Sequence, residues 1–270
     1  MERGAFRLVW GEGEIKAGAP MLVIFPVRDR IELLPYFLKY YTTIGATRFV
    51  CGLYGGRKSP LYKPMAAFQK KYDLAILSSG EIAYEEFNAR LEAVGLNKIR
   101  RKVVKRGEWY AIADLDEFHY CKGRTLPEVA AAAQAAGCHA VQGIFRDRIA
   151  ADGQFPRIHG RLDDTFPLAC RLTSRAGLSS RKIVLAKWHV AIAPGHHRAN
   201  TKVLPKAAWV QHFKWSAGVS ERAAQMHQRY TQQGRRWAIR DLPRLQRLIQ
   251  NGVNLNDRRL HIEPAVRLGI

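Results

Sequence analysis

Residues 21–53 of this 270-residue chain read MLVIFPVRDRIELLPYFLKYYTTIGATRFVCGL. The apolar run 21–25 has the length of a short buried strand. In residues 31–44 the apolar positions recur every three or four residues, as they do on one face of a helix. Gly45 can end that helix, and residues 48–53 form a second apolar run. The stretch predicts strand, helix and strand in succession, which is the unit of a parallel sheet covered by helices.

The same alternation continues along the rest of the chain. It predicts strands at 74–77, 109–115, 140–145, 182–185, 188–192 and 209–213, and helices at 64–72, 85–106, 125–137, 219–233 and 239–250. No repeat or linker divides the sequence. We therefore predict an α/β domain over residues 1–218, followed by a basic helical extension over residues 219–270.

Composition limits the class of protein. The chain is 47% hydrophobic, which excludes a disordered protein. Its longest apolar run, Met21–Val27, is far shorter than the ~20 residues that cross a membrane. Because the first residues lack the apolar stretch of a secretion signal, we expect a cytoplasmic protein. Four cysteines without a C-x-x-C pair are expected to be reduced and buried.

The chain carries 44 basic and 23 acidic residues, for a net charge of +21. Such an excess suits nucleic acid, anionic lipid or a phosphate-bearing substrate, although basic residues can also simply cover a solvated surface. No nucleic-acid-binding motif accompanies the charge, which disfavours the first partner. Within residues 97–106 four basic residues share one helical face, namely Lys98, Arg101, Lys102 and Lys105. Such a face suits a peripheral contact with the inner face of a membrane, a polyanionic acceptor or solvent.

An apolar strand that ends in carboxylates carries most of the functional argument. Residues 109–118 read WYAIADLDEF, and strand alternation places Asp114 and Asp116 on one side. Two like charges at the end of a buried strand repel each other, and a divalent cation removes that cost. Oxygen ligands favour Mg²⁺ or Mn²⁺. A solvated turn after the strand is the alternative interpretation.

The string WYAIADLDEF resembles the aspartate motif of glycosyltransferases with the GT-A fold, in particular the family-2-like group with W-x-x-x-x-D-x-D-E-F. Residues 25–54 resemble the opening of that group, and the likeness covers residues 21–120. Asp29 and Arg30 stand where Asn and Glu are usual. The resemblance implies an α/β, GT-A-like, mostly parallel sheet with covering helices.

The resemblance also implies an activity, which is transfer of a sugar from a nucleotide-sugar donor, most often a UDP-sugar, to a glycan or lipid-linked acceptor, with inversion. Asp116 would bind the metal directly, and Asp114 would contact the ribose or a metal-bound water. Glu117 would support them. Arg28 and Asp29 would lie beside the nucleoside. The loop 53–56 lacks the group's acidic residues, so a GT-A-like binding protein without catalysis is an alternative.

Further candidates follow later in the chain. GT-A enzymes often complete their metal shell with a downstream histidine, for which we predict His197, with His196 second. Lys214 shares a strand face with His212 and could reach the diphosphate. Asp147 is the predicted base for the acceptor hydroxyl. Arginines on both sides would lower its pKa, so ion pairing is its alternative role; the other candidate bases are Asp163 and Asp164.

Overall fold

The computed structural model describes residues 8–9, 21–78 and 89–270. In this part of the chain the strands are β1 (Leu8–Val9), β2 (Leu22–Val27), β3 (Arg48–Leu53), β4 (Leu74–Ser78), β5 (Trp109–Ile112), β6 (Glu117–Tyr120), β7 (Ala140–Ile149), β8 (Leu168–Cys170), β9 (Arg181–Lys187), β10 (Val203–His212) and β11 (Glu263–Pro264). The helices are α1 (Leu34–Thr43), α2 (Tyr62–Ala66), α3 (Gln69–Tyr72), α4 (Ala89–Val103), α5 (Leu126–Ala135), α6 (Leu162–Thr165), α7 (Leu172–Arg175), α8 (Val219–Gln232) and α9 (Arg236–Ile249). Short 3-10 turns lie at Ile31–Leu33, Gly56–Lys58, Pro194–His196 and Arg258–Leu260.

The chain forms two compact units. The first comprises residues up to 143 together with 182–209, and the second comprises 144–181 together with 210–270. The domain boundary predicted after residue 218 was placed where the sequence becomes basic and helical, and it stays a prediction.

The first unit is built on a sheet with the strand order β1-β4-β3-β2-β5-β9, which continues through the first-unit parts of β7 and β10 to β6. Strands β4, β3, β2 and β5 are parallel neighbours, so their carboxyl ends lie at one edge. Strand β9 runs antiparallel to β5. In the second unit β8 pairs with β7 and β11. This mixed α/β architecture confirms the predicted fold class and is consistent with a GT-A-like fold.

Helices cover both faces of the parallel strands. Side chains of β2 alternate, so that Ile24 packs in a buried cluster with Leu96 and Ile99 of α4. On the other face Phe25 meets Phe37 of α1 with ring centroids 4.8 Å apart. Burying a large apolar side chain contributes about 1.5–3 kcal/mol, so these layers stabilise the strand ends on which the site is built.

Several elements have the bounds or caps that their local sequence predicts. Strand β3 has the predicted bounds, and α5 begins with the predicted capping box, in which Thr125 caps the backbone of Glu128 and Glu128 accepts from Thr125 N. Helices α8 and α9 confirm the two basic helices near the C-terminus, although strand β11 follows them. Of the helix predicted over 85–106, residues 85–88 lie outside the described residues.

The predicted strand over 188–192 is wrong, because this segment is a turn and a loop. Its backbone is satisfied by side chains instead of a neighbouring strand. The amide of Asn97 donates to Ile192 O and accepts from Ile192 N, and the hydroxyl of Tyr110 donates to Val190 O. The apolar run by itself resembles a strand, because the local sequence does not show which distant side chains bond to its backbone.

All four cysteines are buried and none forms a disulfide, as expected. In the described part of the chain, no helix combines the length and the apolar character that a membrane crossing requires.

Candidate functional site

A cleft lies at the carboxyl ends of two parallel strands in the first unit. Strand β5 ends just before Asp114 and Asp116, and β2 ends just before Arg28 and Asp29. The two strands are in parallel register, so the loops that follow them emerge side by side. They line one cleft together with Glu92 of α4. The predicted aspartates and nucleoside-side residues are therefore brought together.

The antiparallel strand β9 adds a cation to this edge. Its register pairs Ala111 with Leu185, and continuing that register places Lys182 opposite Asp114. The Nζ of Lys182 lies 2.7 Å from Asp114 Oδ2. A buried ammonium thus faces the first aspartate of the motif.

Lys182 is fully engaged. Besides Asp114 it contacts Glu117 Oε1 at 2.8 Å and donates to the carbonyl of Gly195 at 3.0 Å. Burial opposes the charge of Lys182, yet the two carboxylates raise its pKa above the usual value. Burial and the nearby aspartates raise the pKa of Glu117, although the ammonium acts against them. The ammonium therefore compensates much of the negative charge buried in this edge of the sheet.

The two aspartates of the motif have different partners. Asp114 is 35% exposed at its side chain, and although burial opposes its ionisation, Lys182 holds its pKa well below the usual range. Asp116 instead pairs with Arg30, whose Nη1 lies 3.2 Å from Asp116 Oδ2. Arg30 has a left-handed backbone with φ 60°, a costly conformation that tends to occur at functional sites. Both aspartates line the cleft.

Three side chains of the first unit could hold a cation. One ligand atom each from Glu92, Asp114 and His196 lies within 4.8 Å of the others. The ring of His196 is buried, with Nδ1 3.7 Å from Asp114 Oδ1, and neither ring nitrogen has a hydrogen-bond partner in the described chain. Burial lowers the pKa of His196 to about 3, so the ring is neutral and has a lone pair to donate. These orphaned nitrogens beside carboxylates fit a divalent cation.

Glu92 is the least expected member of the group. Burial and the charge of Asp114 raise its pKa to about 7, and it accepts a hydrogen bond from the hydroxyl of Tyr54 at 2.7 Å. It lies in α4, whose other charged residues are all basic. That single carboxylate in a cationic helix is the signal by which the sequence could have revealed it. Lys182 gave no comparable signal, because its partner depends on a strand pairing.

The histidine near Asp114 is His196, the second of the two histidines predicted as metal ligands. His196 has φ 56°, in the left-handed region, and its side chain is buried. His197 is its chain neighbour and does not belong to the group of potential ligand atoms found around Asp114 in the described residues. Its assignment as a metal ligand stays a prediction, as does direct metal binding by Asp116.

Asp147, the predicted base, lies in the second unit and is completely buried. It accepts from His212 Nδ1 at 2.8 Å and from Trp215 Nε1 at 2.8 Å. Thr173 donates twice, from its backbone N at 2.7 Å and from its hydroxyl at 2.6 Å. Burial opposes ionisation, but the hydrogen bond from His212 and those from Thr173 lower the pKa of Asp147. Its role as a base stays a prediction, and these bonds give it a clear structural role.

The remaining candidates also lie in the second unit. Lys214 has its ammonium 5.6 Å from the ring centroid of Trp215. Asp163 pairs with the buried Arg148 at 3.2 Å, and the exposed Asp164 pairs with Arg267 at 2.6 Å. The proposed contact of Lys214 with a diphosphate stays a prediction.

Replacing Asp147 with Asn is expected to lower the free energy of unfolding by about 2 kcal/mol at pH 7, because charge-assisted buried hydrogen bonds are lost. The folded-state pKa is depressed, so the stability that Asp147 provides is present above about pH 4, the unfolded value, and fades as pH falls further. Urea unfolding at pH 7 and pH 3 should show a smaller loss at pH 3. Asp164→Asn, on the surface, is the matched control and should change little. An equal loss at both pH values would contradict the argument.

The fold and the site define an α/β protein with an acidic, cation-compensated cleft at the carboxyl end of parallel strands. No family model matches the chain, and no curated protein matches it. Among solved structures it is similar to S. aureus TarS, with 13% identity and a TM-score of 0.39, over 88% of this chain and 41% of that one. A second similarity is to S. aureus TarS 1–349 in complex with UDP, with 10% identity and a TM-score of 0.36, over 77% of this chain and 63% of that one. HddC from Yersinia pseudotuberculosis shows 10% identity and a TM-score of 0.31, over 72% of this chain and 77% of that one. The chain thus spans less than two thirds of either TarS structure, and likenesses this weak do not establish a shared activity.

Proposed function

We propose that this protein is a metal-dependent glycosyltransferase that moves a sugar from a UDP-sugar to a glycan or lipid-linked acceptor, with inversion at the sugar. One observation carries the proposal, which is the convergence of Arg28, Asp29, Asp114 and Asp116 on a single cleft. That cleft lies at the carboxyl ends of parallel strands, where open α/β sheets bind their ligands.

The carboxylates of the cleft would repel a diphosphate unless cations compensate their charge. Lys182 and Arg30 each compensate one aspartate, and the half-buried Arg28 lies at the cleft with its guanidinium 2.8 Å from Asp29. Glu92, Asp114 and His196 would hold a divalent cation. When bound, such an ion stabilises the negative charge of a leaving diphosphate. The side chains of this chain position the donor and keep the acidic cluster from repelling it.

The ligand set favours one of the two predicted ions. An imidazole nitrogen beside two carboxylates suits Mn²⁺ better than Mg²⁺, which prefers oxygen ligands alone. We therefore propose Mn²⁺ as the working cofactor. Neutral His196 is ready to bind, whereas Glu92 must lose its proton when its pKa is about 7.

The test measures binding and turnover together. UDP-sugars with Mn²⁺ are expected to raise the melting temperature by several degrees over Mn²⁺ alone, because a ligand at 100 times its Kd adds about 2.7 kcal/mol. Asp114→Asn should abolish this shift and lower kcat/KM for UDP release about 100-fold or more. Asp152→Asn is the matched control, since Asp152 is exposed and does not line this cleft.

Two outcomes would decide against parts of the proposal. A shift no larger than Mn²⁺ alone produces, across a panel of nucleotide sugars, would contradict the donor site. A clear shift without release of UDP in the presence of glycan and lipid-linked acceptors would identify a binding protein without catalysis.

A further inference from the structure

Three strand ends of the first unit meet at the edge of the sheet opposite the cleft. Strand β9 ends at Lys187, which pairs with Trp109 at the start of β5, whereas the cleft lies beyond the other end of β5. His139 directly precedes β7, and Thr201 lies just before β10. A binding site at this edge would therefore be separate from the cleft.

Backbone hydrogen bonds hold His139 between two neighbouring segments. Its carbonyl accepts from Lys187 N at 2.9 Å, and its N–H donates to Lys202 O at 2.9 Å. His189 lies in the turn that follows Lys187, and Thr201 directly precedes Lys202. The strands on either side of β7 thus bring the side chains of His189 and Thr201 next to His139.

Two polar atoms lie at the same distance from one nitrogen of His139. His189 Nε2 and Thr201 Oγ1 are each 3.3 Å from His139 Nδ1. Protein hydrogen bonds usually span about 2.7–3.2 Å between heavy atoms, so both contacts are long for direct hydrogen bonds. Ligand atoms that bind one tetrahedral zinc ion at about 2.0–2.1 Å lie about 3.3–3.4 Å apart. The observed spacing matches that of ligands that share an ion.

The surroundings keep these rings in the form that a metal ion binds. His189 is exposed and His139 is half-buried, so an ion can reach both rings from solvent. Partial burial, His139, and the charges of Lys187 and Arg100 lower the pKa of His189, so its ring is neutral at pH 7. The two cations repel a metal ion as well, but they also repel the proton with which it competes. An ion at this edge must therefore be held by bonds to imidazole nitrogen rather than by charge.

We propose that His139 and His189 bind a divalent transition-metal ion of the zinc type, with the hydroxyl of Thr201 as a third contact and water completing the shell. Imidazole nitrogen is a preferred ligand of Zn²⁺, Cu²⁺ and Ni²⁺, whereas Mg²⁺ and Mn²⁺ prefer carboxylate and other oxygen ligands. Two imidazoles and a hydroxyl contain no carboxylate, so this group differs from the one in the cleft, where two carboxylates accompany one histidine.

The placement of the site gives the ion a structural consequence. It would fix the turn after β9 to the start of β7, and the other end of β9 carries Lys182, whose ammonium pairs with Asp114. An ion that binds only the folded chain stabilises the elements that it joins. The inference does not rest on the proposed function, because the site shares no residue with the cleft.

Equilibrium dialysis of the full chain against Zn²⁺ tests the site. His139→Gln and His189→Gln should each weaken the binding of one Zn²⁺ at least about tenfold. The double variant should bind no more weakly than either single variant, since both ligands serve one ion. Because His189 is exposed, His189→Gln tests the site even if His139→Gln lowers stability. His159→Gln removes another exposed histidine and is the matched control, which should bind like the parent chain.

Zn²⁺ taken up by the cleft is measured separately. His196→Gln should lose only the ion of the cleft and keep the ion bound by His139 and His189. Amide hydrogen exchange gives a second readout, because the N–H of Lys187 donates to His139 O. Zn²⁺ should slow exchange of this amide in the parent chain and in His196→Gln, and it should have no effect on it in His189→Gln.

Two results would overturn the proposal. One is equal Zn²⁺ binding by the parent chain, His139→Gln and His189→Gln, which would leave the two rings as a hydrogen-bonded pair. The other is loss of all Zn²⁺ binding in His196→Gln. Melting shifts with UDP-sugar and Mn²⁺ are measured on the same variants. If those shifts persist while the zinc site fails its test, this inference is wrong and the proposed function stands; if the zinc site passes and the shifts are absent from the parent chain, the reverse holds.

Discussion

Replacing Lys182 with methionine is expected to lower the free energy of unfolding by about 3–5 kcal/mol, because it leaves buried carboxylates without their counter-ion. The ammonium is 3% exposed and Glu117 is 2% exposed, so water cannot replace the lost partner. Three acceptors lose their donor at once, which are Asp114, Glu117 and the carbonyl of Gly195. The loss should shrink as the pH is lowered, since a proton can neutralise the stranded carboxylates.

Urea unfolding at pH 7 provides the measurement, and Lys202→Met provides the control. The ammonium of Lys202 donates to one backbone carbonyl at the surface, so its removal should cost less than about 1 kcal/mol. Adding Glu117→Gln to Lys182→Met should recover part of the lost stability, because the unpaired charge is removed with its partner. A loss below about 1 kcal/mol for Lys182→Met, or no recovery in the double variant, would show that these groups are solvated.

Lys182 and Arg30 compensate the negative charge of the cleft. The resemblance to GT-A enzymes implies that a metal ion compensates the aspartates. The described structure supplies part of that compensation from its own chain, through Lys182 for Asp114 and Arg30 for Asp116. Asp114 belongs both to this ion pair with Lys182 and to the group of possible cation ligands that it forms with Glu92 and His196. Part of the charge of the acidic cluster is therefore compensated within the chain itself.

Much of the fold was predictable because its signals are local. Strand β3 and helix α5 are specified by their own apolar spacing and capping residues, and the succession of strand and helix predicts parallel neighbours. The order of the later strands was not predictable. Strand β9 pairs with β5 and runs antiparallel to it, although about 70 residues separate the two strands. No local sequence pattern specifies such a distant pairing.

The same distinction explains the site. Asp114 and Asp116 were found because they closely follow an apolar strand, although β5 ends at Ile112 and not at the predicted residue 115. Lys182 and Glu92 reach the cleft from distant segments. The choice between His196 and His197 depends on a left-handed backbone at His196, which adjacent histidines in a loop do not reveal. Spacing located the functional edge of the sheet, and tertiary contacts decided which side chains face it.

The second unit is organised around a different buried cation. Arg148 is completely buried, and each of its five N–H donors has an acceptor. Its Nε donates to Phe166 O at 2.9 Å, and Nη2 donates to the same carbonyl at 2.7 Å and to Asp163 at 3.2 Å. Its Nη1 donates to Val266 O at 3.0 Å and to Gln211 at 3.3 Å. One planar group thus ties together segments that lie far apart in the sequence.

Arg148→Met is expected to lower the free energy of unfolding by about 3–5 kcal/mol, because it strands Asp163 and three further acceptors in the interior. Arg148→Lys should lose at least about 2 kcal/mol although it keeps the charge, since an ammonium has three donors and cannot span acceptors arranged for a planar fork. Arg267→Met is the matched control, because Arg267 is 70% exposed and its pair with Asp164 contributes at most about 1 kcal/mol. Urea unfolding of the three variants checks the order. If Arg148→Lys proves as stable as the parent protein, charge alone holds this unit together and the five-donor arrangement is not what stabilises it.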